Sequence, residues 1–153
     1  MAIKLKPKTV GPIIVQWSGG KILYSFKDPD SMTSTPPADY PSHTLMASLG
    51  ACYVVSMNRV ADQIAIALPD FTIQITSTSS ADLPMRIARL DVIIQGLLST
   101  DKSMSGQIVK QAKAMCTVGN TLNCEITTFL EGAPINADPA NTGDANKAVL
   151  TST

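Results

Sequence analysis

Residues 41–66 run without an internal proline and with a single glycine, Gly50. Apolar side chains fall almost all round an ideal helix built on this stretch, which predicts one long helix buried on most of its sides. Its uncharged part, residues 45–57, is shorter than the ~18 residues a membrane span requires. At 100° per residue, Thr44, Ser48, Ser56, Arg59 and Asp62 all fall within about 80° of Cys52. That is the one polar stripe on the helix, and it places Cys52 in the middle.

Around this helix the pattern changes to a period of two. Residues 12–17 and 21–26 read as strands, and Ser18-Gly19-Gly20 between them supplies the positive φ angles of a tight hairpin. A further strand is expected over residues 3–6. Residues 28–40, rich in Pro, Ser, Thr and Asp, predict a loop of the length that often carries function. Residues 71–76 alternate cleanly and find a partner in residues 88–98, with the polar stretch 77–84 as the hairpin loop. Thr100 and Asp101 are placed to cap a second helix running to about Met115. Met104, Ile108, Ala112, Met115 and Cys116 share its apolar face. A break over residues 117–120 precedes a last strand, residues 124–130.

The order is strands, long helix, strands, helix, strand. It predicts a single α+β domain over residues 1–131, with two small sheets wrapping the long helix. Residues 132–153 have little apolar content and two prolines, and are expected to be a polar tail, disordered or draped on the surface.

Composition narrows the function. Hydrophobic residues make up 44% of the 153 but charged ones only 16%, against roughly 25% in an average soluble domain. A chain so short of charge covers its surface most simply against a second copy, so a homo-oligomer is expected. The formal net charge is zero and no basic run occurs, which leaves no electrostatic footprint for a nucleic acid. The first residues alternate charged and apolar side chains without the apolar block of a signal peptide, so a cytosolic protein, not bound to a membrane, is expected. In a reducing compartment three cysteines are free, metal-bound or catalytic rather than structural. A metal needs at least three ligands, and no close Cys/His spacing supplies them. No metal or other cofactor is expected.

Two segments stand out: Leu49-Gly50-Ala51-Cys52 on the long helix, reached from Pro41 through Leu45, and Ala114-Met115-Cys116-x-Val118-x-Asn120-x-Leu122. Together with the element order they resemble the OsmC/Ohr family, the osmotically inducible and organic-hydroperoxide-resistance proteins, over residues 10–131. The resemblance implies an OsmC-like fold with antiparallel sheets about the long helix, and an intertwined homodimer with its sites at the subunit interface. It implies reduction of organic hydroperoxides, with Cys52 as the attacking thiol, Cys116 as the resolving one, and a dithiol returning the electrons. In the family's second motif, Thr117 stands here for a proline and Gly119 for a serine. Family members also carry a glutamate after the helix-opening proline and an arginine from the N-terminal region. Here Pro41 is followed by Ser42, His43 and Thr44, and no arginine precedes Arg59.

The chemistry explains why those groups are wanted. A thiolate is the nucleophile toward the O–O bond, and the sulfenic acid it becomes must be trapped by a second thiol before further oxidation. A thiol at its reference pKa of about 8.5 is mostly protonated at neutral pH, so a nearby cation is needed. Two substitutes are available. Arg59 shares the helix face of Cys52 about 10 Å along the axis, and His43 lies half a turn out of phase. The bland readings stand beside these. Cys52 and Cys116 would serve equally as small core residues, Cys124 as a core residue of the last strand, Arg59 as a partner of Asp62, and His43 as a helix-start histidine. The alternative function is a dimeric binding protein on the same fold, holding a small apolar or electrophilic ligand without turnover.

Overall fold

The computed structural model describes residues 2–96 and 101–135. Thr100, the end of the strand expected to reach residue 98, and the tail beyond residue 135 lie outside them. The architecture is α+β, as expected, but its strands form one six-stranded sheet in the order β2-β1-β3-β4-β5-β6, not two small antiparallel sheets.

Strands β1 (Thr9–Ser18) and β2 (Lys21–Phe26) form the first hairpin. It closes through Gly19 and Gly20 at φ 56° and 78°, a conformation that side chains with a Cβ resist. Strands β3 (Phe71–Ser79) and β4 (Ile87–Gln95) form the second. The expectation of two sheets fails because β1 pairs along both edges. Ile13 faces Phe26 of β2 on one side and Ile75 of β3 on the other, which fuses the two hairpins.

The sheet is also mixed. Strand β5 (Glu125–Leu130) joins β4 in parallel, aligning Leu90 with Ile126 and Val92 with Thr128. Parallel neighbours need a crossover connection, and helices α2 (Lys102–Met115) and α3 (Thr117–Thr121) lie on it. A two-residue β6 (Ala133–Pro134) pairs back on β5, so the polar tail begins with one turn of sheet. The strand expected over residues 3–6 is absent. Leu5 N–H donates to the Ala81 carbonyl, but Pro7 has no N–H to continue a ladder.

The long helix α1 spans Pro41–Gln63. Proline suits its first turn, where the missing N–H would have had no partner. The helix stops three residues short of the expected end, where Ala65 turns to a positive φ of 56°. Loop residues 28–40 are tied to it and to the sheet. Thr33 and Tyr24 exchange backbone hydrogen bonds, and the Thr44 hydroxyl donates to the Pro37 carbonyl.

Helix α1 lies on one face of the sheet with α2 beside it. Leu49, Tyr53 and Met57 of α1 are buried with Val15, Ile73, Ile75, Leu90, Val92 and Ile94 of the sheet, and with Ile108, Val109 and Ala112 of α2. Each such aliphatic or aromatic burial stabilises the fold by about 1.5–3 kcal/mol. Gly50 sets how close helix and sheet come. A Cβ built there would lie 2.5 Å from Val15 Cγ2 and 3.1 Å from Val15 Cβ. Valine cannot swing its branch far, so the small residue in Leu49-Gly50-Ala51-Cys52 is a packing requirement.

Candidate functional site

The polar stripe of α1 does face outward, though its centre is displaced. Thr44, Ser48, Val55, Arg59 and Asp62 are exposed, Cys52 is half-buried, and Ser56 is buried. Cys52 therefore stands at the border between the outward face and the core. The second thiol arrives from α2. Asp101 starts that helix, its carboxylate accepting from Ser103 N–H at 2.9 Å, as the expected N-cap. Ile108, Val109 and Ala112 point inward, whereas Met115 is exposed. Cys116 follows at the junction with α3, fully buried.

The expected break at residues 117–120 is thus a short helix, and Cys116 is its N-cap. Gly119 N–H donates to Cys116 Sγ at 3.4 Å. The two thiols, Cys52 from α1 and Cys116 from the α2–α3 junction, lie near disulfide distance of each other. Both are free. Sequence positions 52 and 116 converge because α1 and α2 pack side by side.

Burial pushes the Cys116 thiol up to about 12, and the neighbouring Cys52 adds to the rise; the N–H groups of Gly119 and Val118 pull the other way without prevailing. A cap of two amide donors favours the thiolate, but loss of water outweighs it here. Tyr53, next to Cys52, is buried, and its hydroxyl lies 2.9 Å from Thr128 Oγ1 of β5. Burial raises its pKa, and the two thiols contribute in the same direction.

The two candidate activating groups fall in different places. Arg59 lies on the outward face, exposed to solvent. His43 is 4% exposed and packs on Phe26 at a tilt, with ring centroids 4.4 Å apart, and edge-on against Tyr40 at 5.1 Å. Its Nδ1 has no hydrogen-bond partner. The structure does not bring His43 to the thiols of its own chain.

A groove of about 560 Å³ opens beside the pair, walled by Pro41, Thr44, Leu45 and Ser48 of α1 and by Val118 and Leu122. It contains no charged group. Its position explains the sequence spacing: Ser48 is one turn before Cys52, and Val118 is two residues after Cys116. Cys124 is not in the last strand but just before it, half-buried, with burial raising its thiol pKa. Two residues escaped the sequence reading. Lys113 is half-buried, its ammonium donating to the Ile126 carbonyl at 3.3 Å, and burial lowers its pKa. Tyr53 was the other. The only sequence signal for either is adjacency to a cysteine segment. Among the described residues no group of three or more His, Cys, Asp or Glu side chains could hold a metal ion, and no helix is long and apolar enough to cross a membrane.

The profile of the family described as OsmC-like protein matches residues 38–131, more than half of the chain. The chain belongs to the OsmC-like family. No curated protein sequence matches it, which fits a divergent member. Solved structures agree on the fold. An OsmC-like protein of unknown function from Vibrio cholerae O1 biovar eltor superposes with a TM-score of 0.54 at 10% identity, over 82% of this chain and 97% of that one. An OsmC-like hydroperoxide resistance protein from Jannaschia gives 0.55 at 14% identity, over 74% and 85%. A second Vibrio cholerae protein, a putative organic hydroperoxide resistance protein with captopril bound in one of its active sites, gives 0.56 at 14% identity, over 83% and 93%.

Proposed function

We propose that this OsmC-like protein is a two-cysteine thiol peroxidase that reduces organic hydroperoxides as part of oxidative-stress defence in the cytoplasm. One observation carries the reading: a half-buried free thiol on α1 lies near disulfide distance of a buried free thiol at the α2–α3 junction. The Cys52 thiolate attacks the distal oxygen of the hydroperoxide, the O–O bond breaks, and the alkoxide leaves with a proton as the alcohol. Cys52 is then a sulfenic acid. Cys116 Sγ attacks that sulfur, water departs, and a Cys52–Cys116 disulfide remains. An external dithiol reduces the disulfide and leaves as its own cyclic disulfide, closing the cycle.

The neutral groove beside Cys52 suits the alkyl portion of such a substrate better than hydrogen peroxide or an anion. Its open side, together with the exposed Val55 of the outward face, suits a second copy, and the functional form proposed is a homodimer. Of the two candidate activators, Arg59 shares the outward face of Cys52 and His43 does not, so the activating role is assigned to Arg59, from its own chain or across the dimer. Titration of the Cys52 thiol in Arg59→Met and His43→Asn tests this. A raised pKa in the first variant only is expected, and no change in Arg59→Met would remove the assignment.

The alternative, a binder that holds a small apolar or electrophilic ligand without turnover, draws support from Cys116, whose pushed-up pKa opposes rapid thiolate chemistry. Mass spectrometry after one equivalent of tert-butyl hydroperoxide separates the two. Loss of two hydrogens with a Cys52–Cys116 cross-link is expected. Thiols left untouched would overturn the peroxidase reading and favour the binder.

A further inference from the structure

Behind α3, on the side away from the groove, lies a hollow of about 160 Å³ bounded by Tyr53, Lys113, Asn120, Leu122, Cys124 and Ile126. It differs from the groove in holding a charge. The Lys113 ammonium has three donors, and the Ile126 carbonyl takes one at 3.3 Å. No carboxylate bounds the hollow. Glu125, the adjacent acid in sequence, is exposed and lies in the field of Arg89 instead. A cation partly withdrawn from water with only a carbonyl for company is a site for an anion.

Leu122 and Cys124 also wall a second space of about 210 Å³, otherwise bounded by Leu45, Ile87, Leu90 and Asn123. That second space is apolar. Each is smaller than the 300 Å³ or so at which organic ligands begin to be enclosed, and only as one space would they reach that size. One end then carries a positive charge and the other carries aliphatic side chains.

We infer that the two hollows form one site for a monocarboxylate with an aliphatic tail, the carboxylate on Lys113 and the tail over Leu45, Ile87 and Leu90. A single ammonium in so small a head space matches one negative charge and a planar carboxylate better than a phosphate. Neither thiol of the Cys52–Cys116 pair bounds either hollow, although Tyr53 and Gly119, which line the charged one, adjoin the pair; the inference needs no turnover of peroxide, so its test can fail without the peroxidase reading failing.

Calorimetric titration of the reduced full-length protein with sodium octanoate, and separately with octan-1-ol, tests it in the absence of any peroxide. Saturable octanoate binding is expected, weakened about tenfold or more in Lys113→Met, as loss of a hydrogen bond to a charged group implies, and restored in Lys113→Arg. Octan-1-ol should bind the unaltered protein more weakly than octanoate. Absence of saturable octanoate binding, equal binding by Lys113→Met, or equal affinity for the alcohol would overturn the proposal. The comparison of acid with alcohol needs no variant, so a misfolded Lys113→Met leaves the test intact.

Discussion

The two sides of helix α1 are built to opposite rules. On the sheet side, Leu49, Gly50, Tyr53 and Met57 are buried against strands, and Gly50 is small because the backbone all but touches Val15. On the outward side, Ser48, Val55 and Arg59 are exposed, Cys52 is half-buried, and the neighbouring space is open. The sheet side holds the fold and tolerates little change of volume. The outward side carries the Cys52 thiol, and substitutions there meet open space rather than packed strands. Cys52 and Tyr53, consecutive in sequence, fall on either side of that division.

The contrast is sharpest at Cys52. Replacing it with serine removes the proposed nucleophile, and hydroperoxide consumption should fall at least a hundredfold, while the unfolding free energy stays within about 0.5 kcal/mol of the parent. A variant that keeps its turnover would erase the functional meaning of the outward side. On the sheet side Gly50→Val should destabilise by about 3 kcal/mol through overpacking, whereas Ser48→Val, two residues away on the opposite side of the helix, should change stability by less than about 0.5 kcal/mol. Urea unfolding of both variants measures the difference, and equal effects would show that the two faces are not distinct.

Tyr53→Phe should cost about 1–2 kcal/mol, because the fully buried Thr128 hydroxyl loses its partner. Its effect on turnover should be minor. The last effect is one of pH. The folded Cys116 thiol, pushed up to about 12 from an ordinary 9.0, keeps its proton where the unfolded chain has lost it. The unfolded state then binds fewer protons, so stability falls as pH rises above about 9. Thermal melts between pH 8 and 11 should show that decline, shallower in Cys116→Ala. An identical slope in the variant would mean that burial of this thiol has no bearing on alkaline stability.

Local signals were well expressed in the sequence. Pro41 and the uninterrupted apolar run gave the start and body of α1, Gly19-Gly20 gave the first hairpin, and Asp101 gave the cap of α2. The sheet was not legible to the same degree. That β1 would pair on both edges, and that β5 would lie parallel to β4, depends on contacts between residues as far apart as Ile13 and Ile75 or Leu90 and Ile126, which no periodicity encodes. Gly119 weakens helix propensity, which hides the helical turn after Cys116 in the sequence. There the cysteine sulfur accepts from Gly119 itself. The convergence of Cys52 and Cys116 came from resemblance rather than pattern. Lys113 was missed because a lysine in a helix is ordinarily a solvated one, and only its position against Ile126 makes it different.

Helix α3 is a partition five residues long. Val118 and Gly119, consecutive in it, look into separate compartments, the neutral groove and the charged hollow, and Leu122 at its foot borders both. A substitution at Leu122 therefore reshapes both chambers at once.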